Sequence, residues 1–203
     1  MSATKTPAAY LLPSNLVTYL AIAAGVAAAA LTRGPEDRHF AGACLAVAAL
    51  ADLFDGRFAR LFPLSEDQKS FGVQIDSLAD VLSFGLVPAV CLERVAAAEG
   101  GARLLLLACC FVYVVCAVTR LAFYNVTQSD GSGFIGVPTT LLGIFWSGWL
   151  LAKPPSALVT AIALLVGGAS MVSSLRIPRP GLKTFVVIVL TCITLTAVHV
   201  WAW

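Results

Sequence analysis

Charge is what this sequence has least of: only 12% of its 203 residues are charged, against about a quarter in an ordinary soluble domain. A solvated globular surface of normal composition is therefore excluded. The formal net charge is only +2, and the basic residues form no run interleaved with aromatics, so nothing marks the chain as a nucleic-acid binder. Histidine occurs twice, as His39 on the expected outer side and His199 near the C-terminus, both away from the acidic cluster described below, which argues against a catalytic histidine. The six cysteines (Cys44, Cys91, Cys109, Cys110, Cys116 and Cys192) show no CxxC spacing and sit in or beside apolar blocks. They read as small packing residues rather than a disulfide framework or a zinc site. The N-terminal MSATKTPAAYLLPSNL has one lysine and no short apolar core with a small-residue cleavage pattern, so a removable leader is not expected.

What the chain has instead is apolar residues, 59% of the total, and a mean hydropathy of +0.90. They fall into blocks long enough, at roughly 17 to 25 residues, to cross a bilayer as helices. Seven candidate spans follow, with six or eight as the alternative counts: about 15–32, 40–60, 71–92, 103–124, 135–152, 156–174 and 183–202. The expected fold is an all-α, polytopic membrane helix bundle in a single domain, 1–203. Pro13, Ser14 and Asn15 read as a cap for the first span, Gly34-Pro35 as its end, and Lys153-Pro154-Pro155 as a tight turn. The polar stretch 127–133 reads as a loop. With the N-terminus inside, eight basic residues (Lys5, Arg57, Arg60, Lys69, Arg120, Arg176, Arg179, Lys183) lie on the inner side. Five (Arg33, Arg38, Arg94, Arg103, Lys153) lie outside. The excess sets the inner side as cytoplasmic.

Against this background the second span ends in DLFDGRFAR and the third begins with FGVQIDSLAD. Asp52 and Asp55 are three apart and Asp76 and Asp80 four apart, so each helix can present a carboxylate pair on one face. Four negative charges converging at membrane depth require compensation. Carboxylates without histidine or cysteine favour hard divalent ions such as Mg²⁺, Mn²⁺ or Ca²⁺, and two such ions about 4 Å apart suit displacement at phosphorus. A buried salt-bridge network and the cation path of a transporter are the other readings of the same four residues. Gly56 and Gly72, next to the two pairs, leave room for a bulky group near the backbone, as does Ala59 one turn on.

The pattern Asp52-x2-Asp55-Gly56-x2-Ala59-Arg60, eleven residues, Gly72-x3-Asp76-x3-Asp80 resembles the signature of the CDP-alcohol phosphotransferase family at all eight of its defining positions. The resemblance implies a six-helix membrane core at about 12–180, leaving 183–202 as an extra span. It further implies transfer of a phosphatidyl-type group from a CDP-linked lipid to an alcohol with release of CMP. Two divalent cations, Mg²⁺ or Mn²⁺, would be held by Asp52, Asp55 and Asp76, with Asp80 completing the site as general base. Asp52, Gly56, Ala59, Arg60 and Gly72 would line the nucleotide and diphosphate pocket. The flanks SFGVQIDSLADVLSFGLVPA, LPSNLVTYL, RLAFYNV, FIGVPTT and SMVSSLRIP are similar to the phosphatidylserine synthase subgroup. That subgroup implies CDP-diacylglycerol and L-serine as substrates, a homodimer, and a prokaryotic plasma membrane with the site facing the cytoplasm. Another acceptor, such as glycerol 3-phosphate or inositol phosphate, or an archaeal CDP-linked donor, would use the same signature. Phe123 stands where the subgroup often has a second arginine, and Ala21 near a usual asparagine.

Arg120, Asn125 and Arg176, at inner helix ends, are the candidates for holding the serine carboxylate or a lipid phosphate; anchoring to headgroups is the plainer role for such arginines. Trp146, Trp149, Trp201, Trp203 and Tyr10 read as interfacial anchors, and Glu66 and Asp67 as a solvated loop. Gly167, Gly168, Ala169 and Ser170 read as a close-packing face, within the chain or across a dimer.

Overall fold

The computed structural model describes residues 6–96, 100–127, 133–152 and 156–203; Lys5, residues 128–132 of the expected polar loop and the turn Lys153-Pro154-Pro155 lie outside them. Seven helices occupy the seven apolar blocks: α1 (Leu16–Leu31), α2 (Arg38–Ala59), α3 (Glu66–Val95), α4 (Gly100–Thr127), α5 (Thr139–Trp149), α6 (Ala157–Met171) and α7 (Leu182–Ala202). Together they make an all-α polytopic membrane protein. Five of the segments are long and apolar enough to cross a membrane. The two shorter helices, α5 and α6, are flanked by a two-stranded antiparallel ladder, β1 (Phe134–Ile135), which takes the first residue of the fifth block, with β2 (Arg176–Ile177), which lies just past the sixth. Hydropathy counts Ile135 as span whether it coils or extends.

Small residues set the packing. Lipid supplies no hydrophobic drive between helices, so close backbone approach does the work. α1 buries Ala21, Gly25 and Ala28, and α2 buries Ala41, Ala46, Ala48 and Ala49. The two helices run together, and α2 also carries α5 and α7. α4 packs along α6: a Cβ on Gly168 would sit 3.4 Å from the Tyr113 Cα, and one on Gly167 3.3 Å from the Trp146 ring. The small-residue face on α6 is therefore used inside the chain.

α3 starts at Glu66, earlier than the apolar block, because Ser65 and Gln68 form a capping box. The Gln68 N–H donates to Ser65 Oγ at 3.3 Å and the Ser65 N–H to Gln68 Oε1 at 3.0 Å. Glu66 and Asp67 thus belong to the first helical turn rather than to a loop, where negative charge meets the positive end of the helix dipole. The middle of α3 is a π-helical segment, Val81–Leu86, directly after Asp80. Pro88 has no N–H to return to the Phe84 carbonyl; Tyr113 Oη donates to that carbonyl at 2.8 Å instead, and accepts from Trp146 Nε1 at 2.8 Å. Trp146 is fully buried and belongs to the core, not to an interfacial belt. Trp201 and Trp203 are exposed near the end of α7, as expected of anchors.

The end of the bundle away from the aspartates is also tied. Arg94 donates to the Ala29 and Thr32 carbonyls that end α1, and Arg103 pairs with Glu93 at 2.7 Å. His39 and His199 meet there, Nδ1 to Nδ1 at 3.2 Å, with His199 Nε2 donating to the Ser147 carbonyl at 2.9 Å. The histidines fasten α7 to α2 and take no part in the acidic cluster.

Candidate active site

Helical spacing decides the first step. Asp52 and Asp55 leave the C-terminal end of α2, and Asp76 and Asp80 leave the facing part of α3, one turn apart in each case. One oxygen from each of Asp52, Asp76 and Asp80 falls within 4.8 Å of the others. The Asp55 carboxyl adjoins that of Asp76, and Asp52 adjoins Asp80. The four expected carboxylates thus form one cluster, with three converging and Asp55 at its flank, where it accepts from Thr18 Oγ1 at 3.1 Å.

Hydroxyls from a third helix hold the deep side. Thr140 Oγ1 donates to Asp52 Oδ2 at 2.7 Å, and Thr139 Oγ1 donates to Asp80 Oδ2 at 3.0 Å. Arg120 Nη1 donates to Thr139 Oγ1 at 3.4 Å. Asp80 Oδ1 and Arg120 Nε are buried with no hydrogen-bond partner among the described residues. No lysine or arginine among the described residues forms an ion pair with any of the four aspartates. Among the described residues the nearest basic group, Arg120, reaches the cluster only through Thr139, and the cluster's own donors are all hard oxygens, so it fits a divalent cation.

On its shallow side the cluster opens into a cavity of about 490 Å³, lined by Asp55, Gly56, Ala59, Arg60, Gly72 and Asp76 together with Ser14, Asn15, Thr18 and Lys69. Every residue expected around the diphosphate except Asp52 borders this space; Asp52 lies behind it, on Thr140. A Cβ on Gly56 or Gly72 would meet nothing within 4 Å. The absent side chains keep the cavity open, and no protein contact requires them to be missing. Asn15 makes no side-chain cap to α1; it lines the cavity, its Nδ2 buried and unpartnered among the described residues.

Of the three acceptor candidates, only Arg120 is joined to the cluster; it is 6% exposed. Asn125 is spent on Ser77, giving an N–H to Ser77 Oγ at 2.9 Å, which ties α4 to α3. Arg176 is exposed on β2, opposite Ile135. Thr18, Thr139 and Thr140 were not among the sequence candidates. The signal was the pair of hydroxyls after Pro138 in FIGVPTT, polar groups at a helix start inside an apolar block.

A sequence model of the CDP-alcohol phosphatidyltransferase family matches residues 11–175, which contain all four aspartates and stop before α7. The chain is similar to the CDP-diacylglycerol–serine O-phosphatidyltransferase of Mycobacterium tuberculosis, 36% identical over 152 residues covering 70% of this chain and 50% of that protein. It is 32% identical over 197 residues to the Mycobacterium leprae protein of the same name, covering 86% and 59% of the two chains. It is 31% identical over 145 residues to the archaetidylserine synthase of Methanothermobacter thermautotrophicus, covering 70% and 60%. The chain spans about half the length of the curated relatives it matches.

Proposed function

The chain belongs to the CDP-alcohol phosphatidyltransferase family, and from that membership we propose that it transfers the phosphatidyl group of CDP-diacylglycerol to the hydroxyl of L-serine, releasing CMP. The observation that carries the reading is the cluster of Asp52, Asp76 and Asp80 behind a cavity whose near wall is Asp55, Gly56, Ala59, Arg60 and Gly72. The first property suits a diphosphate's counter-ions and the second a nucleotide. The flanking tracts, and the names of the similar proteins, support serine as acceptor.

The family is metal-dependent, and the carboxylates fit two divalent cations, Mg²⁺ or Mn²⁺, held by Asp52, Asp55, Asp76 and Asp80. When bound, such ions neutralise the diphosphate and the charge developing on the departing CMP. The chain's own residues do the rest. Asp80 Oδ1, buried and without a hydrogen-bond partner among the described residues, accepts the proton of the serine hydroxyl. The serine oxygen then forms a bond to the lipid-bearing phosphorus as the bond from that phosphorus to the CMP oxygen breaks. CMP leaves with the bonding pair, and the proton passes from Asp80 to solvent. Ser77, the hydroxyl between Asp76 and Asp80, is occupied by Asn125 and the Val73 carbonyl. That engagement supports direct in-line attack over a covalent intermediate. Arg120, whose Nε has no hydrogen-bond partner among the described residues, is the residue best placed for the serine carboxylate.

The same reading has residues 1–203 as one membrane domain, with a catalytic core at 12–180 and α7 added to it. It sets the chain in a prokaryotic plasma membrane as a homodimer, with the cavity facing the cytoplasm. An archaeal isoprenoid donor is the second reading, favoured by the similarity to an archaetidylserine synthase. The purified protein, incubated with CDP-diacylglycerol, Mn²⁺ and labelled serine, glycerol 3-phosphate or inositol phosphate, is expected to make phosphatidylserine and CMP from serine. Absence of lipid product with every acceptor and with either donor would overturn the assignment.

A further inference from the structure

We propose that Thr139 and Thr140 are positioning residues for this reaction: two consecutive hydroxyls at the start of α5 that fix Asp80 of α3 and Asp52 of α2 against each other. The inference rests on the functional reading above, and it assigns a task to residues outside the eight signature positions.

Proton bookkeeping fixes the direction of every bond. An arginine only donates, a carboxylate only accepts, and a threonine hydroxyl has one proton. The chain must therefore run from Arg120 Nη1 to Thr139 Oγ1 at 3.4 Å, and from Thr139 Oγ1 to Asp80 Oδ2 at 3.0 Å. Thr139 is fully buried, Asp80 9% exposed and Arg120 6% exposed, so water does not compete freely for these atoms. With Oδ2 taken, Oδ1 is the oxygen of Asp80 left for the acceptor's proton. Thr140 does the matching task on the other helix, donating to Asp52 Oδ2 at 2.7 Å. Side chains that hydrogen-bond to metal-holding carboxylates set their orientation, and losing one typically weakens metal binding about 10- to 100-fold.

The approach to α5 is built to deliver this pair. Gly136 adopts a φ of +74, and a side chain there would run into the Met171 carbonyl. Its N–H donates to the Leu175 carbonyl at 2.8 Å, and the Val137 N–H to the Ser170 carbonyl at 3.0 Å. Pro138 then occupies the N-cap. The turn is anchored to the end of α6 and to β2, so Thr139 and Thr140 arrive at fixed depth.

The test uses the full chain in lipid nanodiscs and the variants Thr139→Val, Thr139→Ser, Thr140→Val and Thr140→Ser. Valine keeps the shape and removes the hydroxyl, whereas serine keeps the hydroxyl. Thr139→Val should lower kcat about 10-fold or more with the KM for serine within about twofold, and serine should restore most of the rate. Thr140→Val should weaken Mn²⁺ binding, read by electron paramagnetic resonance without substrate, by about 10-fold or more, again with rescue by serine. Valine variants that match wild type in both readouts would overturn the proposal, as would equal losses in the valine and serine forms. A wild-type protein that makes no lipid product would sink the functional reading, and the Mn²⁺ measurement on the Thr140 variants would still judge the clasp.

Discussion

Tyr113 of α4 donates its phenolic proton to the Phe84 carbonyl of α3 at 2.8 Å, at the point where Pro88 leaves that carbonyl without its helical partner. The same oxygen accepts from Trp146 of α5, so one hydroxyl joins three helices behind the catalytic end of α3. In Tyr113→Phe a buried carbonyl and a buried indole N–H both lose their partner, at a cost of about 1–3 kcal/mol each. The variant should melt several degrees lower in detergent, while Asp80-dependent turnover below the transition persists. A melting point equal to wild type would show that the π-helical segment does not depend on this contact.

Asp80→Asn removes the proton acceptor and keeps the shape. Turnover should fall by about two to four orders of magnitude. CDP-diacylglycerol binding, followed by calorimetry in the presence of Mg²⁺, should be largely kept, because the cavity wall is formed by other residues. Normal turnover at saturating substrate would contradict the base assignment.

Arg120 and Arg176 were equivalent in the sequence and are not equivalent in the fold. Arg120 is buried and linked through Thr139 to Asp80, whereas Arg176 is exposed on β2. Lysine cannot reproduce the planar two-pronged donor geometry of arginine. Arg120→Lys should therefore raise the KM for serine about 10-fold, and Arg176→Lys should leave it within twofold. Steady-state kinetics over a serine titration separates the two; an unchanged KM in Arg120→Lys would remove it from the acceptor site.

The carboxylates could be read in the sequence because helix geometry makes Asp52 with Asp55, and Asp76 with Asp80, share faces whatever the tertiary arrangement. The early start of α3 was also written locally, as Ser65 and Gln68 at capping-box spacing. What holds the cluster was not. Thr139 and Thr140 reach aspartates 59 and 88 residues away, and no local pattern encodes such a pairing. Trp146 shows the same limit from the other side: near the end of a short apolar helix it resembles an interfacial anchor, and only the buried Tyr113 hydroxyl makes it core. β1 was hidden because hydropathy treats Phe134 and Ile135 alike in helix and strand.

Gly56 and Gly72 offer the sharpest separation of function from stability. Both lie in helices, where glycine costs about 1 kcal/mol relative to alanine, and a side chain at either would point into space free of protein atoms. Gly56→Ala and Gly72→Ala should therefore melt at or above the wild-type temperature. Yet both positions line the cavity below the aspartates, where an added methyl takes up room that the nucleotide or its diphosphate would fill. The KM for CDP-diacylglycerol should rise about 10-fold or more, a cost in the range for over-filling a packed contact, while the KM for serine moves little. A gain in stability together with a loss of donor affinity fits glycines retained for a ligand. Unchanged donor affinity in both variants would move the nucleotide out of this cavity.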